Sequence, residues 1–334
     1  MTLDRRTFLA AGAAASLASA PALAQAREPL VVMTPFGFNT DFIEMMNAVA
    51  GGHLARQGFD ARLLGANGTA PATQQLVAGQ VQFIRSAAID MIRAVQSSGA
   101  PLVAVATSHQ GSTFHVVSLR DKPVREAKDL AGKTVGIVSV GGTTDIFLDL
   151  MLQSAGLKRD DVRREVTGAS PGALQLVKAG RVDCFMTSIS AIVALRRANE
   201  PIEIWSTDRY APMPSQCYVT TRDTIERRPQ TVVRFLRAMK ASMDEMLAGN
   251  SRAVFERAGR EYEIPGIRDL DFVVEVAQTS QRELWLSRGR ENLLRNVPEL
   301  WESGFRALKA AGLADPPDPS ALWTNRFVEE ALRG

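Results

Sequence analysis

The chain has 334 residues, 46% of them hydrophobic and 22% charged, with a formal net charge of +3. A chain of this length forms about two domains with adequate cores. The balance of 39 basic against 36 acidic residues excludes a surface built for nucleic acid or an anionic membrane, and three histidines and two cysteines at no recognised ligand spacing give no metal motif.

The first 26 residues read as a secretory leader. Arg5-Arg6-Thr7-Phe8-Leu9 has the form of a twin-arginine signal, a run of small apolar residues follows, and Ala24-Gln25-Ala26 is a small-x-small cleavage site. The run is too short and too alanine-rich for a membrane anchor. No later stretch reaches about 20 uninterrupted apolar residues, so a soluble periplasmic protein is expected. An oxidising destination permits a bond between Cys184 and Cys217, but both lie in apolar runs where free buried cysteine is also common, and the sequence leaves the two open.

The exported chain opens on a strand, Glu28 to Pro35, followed by the loop Phe36-Gly37-Phe38-Asn39-Thr40-Asp41. A helix is predicted from Phe42 to Gln57, with Asn39 or Thr40 as its cap. A strand at Phe59 to Leu64 precedes a short helix from Pro71 to Ala78. Val81 to Ile84 is a third strand, leading through Arg85-Ser86 to a helix ending near Ser97. Leu102 to Thr107 and His115 to Leu119 are further strands.

Lys133 to Leu152 is the most informative stretch. Thr134 to Val140 suits a buried strand, Gly141-Gly142 ends it, and Thr143 or Thr144 caps a helix with Asp145 in its first turn. Free N–H groups at such a helix start favour an anion, although Asp145 is itself a candidate to neutralise that end. Strand and helix then alternate again: Val162 to Thr167, a helix from Ser170 to Ala179, Val182 to Met186, a helix to Ala198, Ile202 to Ser206 and Gln216 to Thr220. After Pro229 the chain is mostly helical.

A faint repeat links the halves. Gln75-Leu76-Val77-Ala78-Gly79-Gln80-Val81-Gln82 matches Gln175-Leu176-Val177-Lys178-Ala179-Gly180-Arg181-Val182-Asp183, each a helix ending in glycine before a short strand. Alternating strands and helices imply mainly parallel sheets, which bind ligands beyond their C-terminal strand ends. The residues at those ends are glycines, hydroxyls and aromatics, without a nucleophile-base pair. No G-x-S-x-G, G-x-G-x-x-G or Walker motif occurs, and Asp160-Asp161 reads as a solvated turn. His109 reads as structural. Arg85 suits either a ligand carboxylate or an internal salt bridge.

These features together resemble the periplasmic solute-binding proteins of ABC importers, in the branch that serves nitrate, sulfonate, taurine, bicarbonate and thiamine-pyrimidine precursors. The resemblance rests on Leu76-Val77-Ala78-Gly79-Gln80-Val81, Lys128-Asp129-Leu130-Ala131-Gly132-Lys133-Thr134-Val135-Gly136, Gln153-Ser154-Ala155-Gly156-Leu157, Ala179-Gly180-Arg181-Val182-Asp183 and Arg228-Pro229-Gln230-Thr231-Val232-Val233-Arg234-Phe235-Leu236. Gln82 departs from it, since this family often has Asp after the glycine. The resemblance implies an α/β, two-lobed type II periplasmic binding protein fold with extra C-terminal helices. One lobe would take 27–114 plus 215–334, the other 115–214. It implies ligand contacts at Phe36, Gly37, Asn39, Arg85, Ser86, Ser108, Gly142, Thr143, Thr144, Thr187 and Ser188. The implied function is non-enzymatic: a monomeric receptor, without cofactor or metal, delivering a small anionic organic solute such as a sulfonate or an aromatic carboxylate to a permease with a separate ATPase. The alternatives are a receptor for a tripartite ion-driven transporter, a periplasmic sensor, or a pyrimidine-synthase-like enzyme; that last branch carries a cysteine and histidine cluster this chain lacks.

Overall fold

The computed structural model of the chain describes residues 27–210 and 212–333; the leader read at residues 1–26 lies outside them. Strands β1 (Glu28–Thr34), β2 (Phe59–Gly65), β3 (Phe83–Ser86), β4 (Leu102–His109) and β10 (Gln216–Thr221) form one sheet, in the order β2-β1-β3-β10-β4. Strands β5 (Phe114–Leu119), β6 (Thr134–Ile137), β7 (Arg163–Val166), β8 (Cys184–Ser188) and β9 (Ile202–Ser206) form the other, in the order β7-β6-β8-β5-β9.

Each sheet runs parallel apart from one strand, and that exception fixes how the lobes face one another. β5 is antiparallel to both its neighbours, as is β10 to its own. These are the two strands the chain enters after crossing between sheets. β4 ends at His109 and β5 begins at Phe114, so the chain leaves one sheet at its C-terminal edge and enters the other within a few residues. It can do so only where the C-terminal edges of both sheets meet. The strand ends that bind ligands in such sheets therefore oppose each other.

Helices α1 (Ile43–Ala50), α2 (His53–Arg56), α3 (Thr69–Val77) and α4 (Ala88–Ser98) accompany the first sheet; α5 (Thr143–Ser154), α6 (Leu174–Lys178) and α7 (Ile189–Arg197) accompany the second. After β10 come α8 (Arg222–Arg227), α9 (Pro229–Glu245), α10 (Ser251–Ala258), α11 (Leu270–Ser280), α12 (Pro298–Ala310) and α13 (Arg326–Leu332). Two expectations are corrected. The helix predicted over 42–57 is broken at Gly51-Gly52, where Gly52 adopts φ +69°, a conformation that favours glycine. β6 ends at Ile137 instead of reaching Val140, because the Val138 N–H turns away to the Thr144 hydroxyl and Val140 is 73% exposed.

The sequence repeat is a structural repeat. Gln82 accepts from the Val31 N–H at 2.9 Å while its own N–H donates to the Val31 carbonyl. In the second lobe Asp183 accepts from the Thr134 N–H at 2.8 Å, and its N–H donates to the Thr134 carbonyl. Amide and carboxylate do the same work at equivalent strand starts, which accounts for Gln82 standing where an acid is common. Gly79 and Gly180 end the preceding helices at φ +73° and +70°.

The cores follow from the apolar periodicity. Phe83 stacks on Phe235 of α9 at 3.9 Å between ring centroids, under α1 and α10, while Phe147, Leu150 and Met151 of α5 pack on the second sheet. Cys184 on β8 and Cys217 on β10 are free and buried, one in each sheet. No described helix is long and apolar enough to cross a membrane.

Candidate functional site

A cleft of about 780 Å³ lies between the facing strand ends. The first lobe contributes the loop after β1 (Pro35, Phe36), one side of α3 (Thr69, Thr73, Gln74) and one side of α4 (Asp90, Arg93, Ala94). The second contributes Val138, Ser139 and the start of α5 (Gly142, Thr143, Thr144), and Phe114 and Gln216 stand where the chain crosses between sheets. The lining is therefore apolar surface set with hydroxyls and amides, plus one carboxylate and one guanidinium.

Those two charges lie three residues apart on one face of α4, yet they do not pair. The Arg93 guanidinium donates across the cleft to the Gly141 carbonyl at 3.1 Å, linking the two lobes at the mouth. Asp90 sits in the first turn of α4 without capping it. Burial pushes its carboxyl above the usual range, and Thr69 and Arg93 beside it oppose that push.

The turn that reads as an anion site is already supplied with an anion. Thr143 and Thr144 do not cap α5, whose cap position is Gly142. Asp145 accepts from the Gly141 N–H at 2.8 Å and is held by Arg159 at 3.1 Å and Arg164 at 2.8 Å. Burial pushes the Asp145 carboxyl up, but the Gly141 N–H and the two guanidiniums outweigh it, so the group stays below its ordinary range. Asp149 completes the cluster with the same arginines.

The other residues singled out from the sequence lie as follows. Phe36, Gly142, Thr143 and Thr144 line the cleft. Gly37 turns the loop at φ +64° and its carbonyl accepts from the Thr34 hydroxyl; Asn39 caps the short turn after it, accepting from the Asp41 N–H at 3.0 Å. The hydroxyls of Ser86, Ser108 and Thr187 donate to the carbonyls of Ala87, Gln216 and Ala169, and Ser188 bonds Ser190. Arg85 is fully buried. It pairs with Glu44 of α1, donates to His109 Nε2 at 2.8 Å and stacks on the rings of Phe42 and Tyr218. Of the two roles open to it, the internal ion pair is the one these contacts describe. Burial and the Arg85 charge hold His109 well below its ordinary pKa, so it is a neutral acceptor.

Sequence reasoning from strand ends missed the flanks of α3 and α4, and with them Thr69, Gln74, Asp90 and Arg93. The signal was present in Ala88 to Ser98: Asp90, Arg93, Gln96 and Ser97 form the polar side of an otherwise apolar helix. Nothing in that pattern says whether such a side meets bulk water or a cleft.

Beside the crossings, α7 packs against α11 of the other lobe. Ile189 and Val193 of α7 are buried in the core of the first lobe, Arg197 pairs with Asp269 and Glu275, and its guanidinium covers the Phe272 ring. Gly111 in the first crossing is held so close that a Cβ there would strike the Glu283 carbonyl.

Two parallel-stranded lobes, crossed twice by the chain and closing on a cleft at their strand ends, define the class of two-lobed periplasmic binding folds. The model of the NMT1/THI5 like family matches residues 39–253, which span both lobes, and the chain belongs to that family. Three solved structures show the same fold. The putative periplasmic sulfonate-binding protein SsuA of Methylobacillus flagellatus KT is 18% identical, covering 92% of this chain and 94% of its own, at TM-score 0.69. The periplasmic nitrate-binding protein NrtA of Synechocystis PCC 6803 is 13% identical, covering 92% and 89%, at TM-score 0.64. The desulfurization enzyme DSZB is 14% identical, covering 92% and 99%, at TM-score 0.57. No curated protein matches the chain in sequence.

Proposed function

We propose that the protein is a periplasmic receptor that captures a small organic acid, a sulfonate or carboxylate, between its lobes and presents it to an ABC permease with a separate ATPase. The observation that carries this reading is the cleft itself, walled by both lobes and bridged at its mouth by Arg93 and Gly141. A solute that touches both walls adds contacts to the closed arrangement and none to the open one, so binding favours closure. Arg93 is the one cationic side chain that lines the cleft among the described residues, and it is the partner assigned to the acidic group. The sulfonate- and nitrate-binding relatives by fold support a solute of this size. Lobes of 27–114 plus 215–334 and of 115–214 are the units that would move.

The reading is of binding without turnover. DSZB has the same fold, so the enzyme reading is kept as the second one; among the described residues the two buried cysteines lie in separate sheets and build no cluster with histidine.

Thermal denaturation across a panel of sulfonates, carboxylates and nitrate checks the proposal. At a solute concentration of about 100 Kd, binding to the folded state adds about 2.7 kcal/mol and raises the melting temperature visibly. A panel that moves the midpoint nowhere, together with release of product from any member, would replace the receptor by an enzyme.

A further inference from the structure

We propose that His109 is a positioning residue for lobe movement: its ring N–H pins the two crossings of the chain between the sheets to the buried Arg85–Glu44 pair of the first lobe, and so limits how far the lobes open. The movement itself is taken from the receptor reading above; the restraint on it goes beyond that reading and depends on no solute.

The contacts form one buried line. Arg85 pairs with Glu44, and Tyr218 donates to the same carboxylate. The Arg85 guanidinium donates to His109 Nε2 at 2.8 Å. His109 Nδ1 lies 3.4 Å from the hydroxyl of Thr113, in the first crossing. That hydroxyl bonds the hydroxyl of Ser215, at the end of the second crossing, at 3.0 Å, and the Thr113 N–H donates to the same Ser215 oxygen at 3.1 Å. The Ser215 N–H returns to the His109 carbonyl at 3.0 Å, closing a ring through both crossings. His109, Thr113 and Ser215 are all buried, and none of the three is among the residues that line the cleft.

The chemistry of the partners fixes the direction. A guanidinium has donors and no acceptor, so His109 Nε2 can only accept from it. The neutral imidazole carries one proton, which then sits on Nδ1, the nitrogen facing Thr113. Arg85 thereby selects the tautomer that lets His109 donate to the crossing. The ion pair holds the ring, the ring holds Thr113, and Thr113 holds Ser215. Lobe closure is absorbed by the backbone of a few hinge residues, and a crossing pinned at Thr113 and Ser215 leaves fewer to absorb it. Gln110 and Gly111 are tied as well, both donating their N–H groups to the Leu284 carbonyl.

The test uses solute-free protein, so its failure is separate from failure of the receptor reading. His109→Gln keeps an amide oxygen that can accept from Arg85 but gives up the Nδ1 donor. Thr113→Val removes the acceptor and keeps the outline of the side chain, and it answers in place of His109→Gln should that variant not fold. Proton–nitrogen correlation NMR of the labelled wild type should show the ring whose signals vanish in His109→Gln to be protonated at Nδ1. Small-angle scattering should give each variant a larger radius of gyration than the wild type, with the double variant no larger than either single one. Hydrogen exchange at the Thr113 amide should quicken about tenfold in His109→Gln while amides of β3 and β4 keep their wild-type rates. A ring that only supports the core would instead quicken the sheet amides together with that of Thr113, and this result overturns the pin. A ring protonated at Nε2, or a wild-type radius of gyration in both variants, overturns it too.

Discussion

Arg85 shows what a residue's type conceals. Read as the residue after a strand ending at Ile84, an arginine invites a ligand-binding role, but Arg85 lies within β3, paired with Tyr218 of β10. In the fold its guanidinium is spent inside the first lobe on Glu44, with Tyr218 donating to the same carboxylate at 2.9 Å. A buried pair that loses one partner leaves the other charged and unpaired, so Arg85→Met should cost about 3–5 kcal/mol of stability in urea denaturation. Solute affinity at temperatures where the variant is folded should stay within a few-fold. An affinity collapse without a stability loss would return Arg85 to the binding site. His115 belongs to the same scale. It lies 3.7 Å from Glu283 of the opposite lobe, yet burial, with Arg196 adding to it, lowers its pKa to about 4. The desolvation of an enclosed ring outweighs the backbone hydrogen bond at Thr113 that favours the proton. With the folded pKa below the unfolded value, the stabilisation is full above about pH 6.5 and is lost as pH falls towards 4. His115→Gln should therefore gain on the wild type by on the order of 3 kcal/mol between pH 7 and pH 4, read from the pH dependence of urea midpoints.

Among the elements, α7 behaves as a shared part. Its sequence, apolar on one side and ending in Arg196-Arg197, reads as an ordinary helix covering its own sheet. Instead Ile189 and Val193 reach the core of the first lobe, and α11 meets them there. Ile189→Ala should cost about 2–5 kcal/mol in global unfolding. Arg197→Ala, which removes solvent-accessible pairs with Asp269 and Glu275 and the cover over Phe272, should cost a small fraction of that. If the two changes proved equal, the apolar seam would not be what joins the lobes on this side. The strand-helix alternation and the order of elements were legible because both rest on local periodicity. The break at Gly51-Gly52 was not, since two glycines in an apolar helical pattern do not say whether the helix tolerates or yields to them. Nor was α7, because its partner lies some 80 residues away in sequence. The cleft was legible in part: Phe36 and Gly142 to Thr144 follow from the strand-end rule, while Asp90 and Arg93 stand on a helix flank that the rule does not reach.

At the scale of the molecule, the lobes are joined on one side by the crossings and α7, and across the cleft mouth, among the hydrogen bonds of the described residues, by the Arg93 contact to Gly141. That asymmetry predicts a hinge on the first side and a gate on the second. Arg93→Met should enlarge the radius of gyration of the solute-free protein in small-angle scattering and weaken an acidic solute at least about tenfold, as both the gate and the assigned anion partner go. Unchanged scattering with weakened binding would assign Arg93 to the solute only.

The two thiols offer a way to watch the lobes separately. Cys217 lies in the first sheet and Cys184 in the second, both fully enclosed, and burial pushes each up to about 12. Neither will react with a disulfide reagent while its sheet is intact, and each becomes a fast nucleophile once its sheet opens. Single Cys→Ala variants, which differ only in which thiol survives, thus turn a colorimetric rate into a report on one half of the molecule. Because the chain passes twice between the sheets, simultaneous release would mark one cooperative unit, and staggered release would identify the half that gives way first.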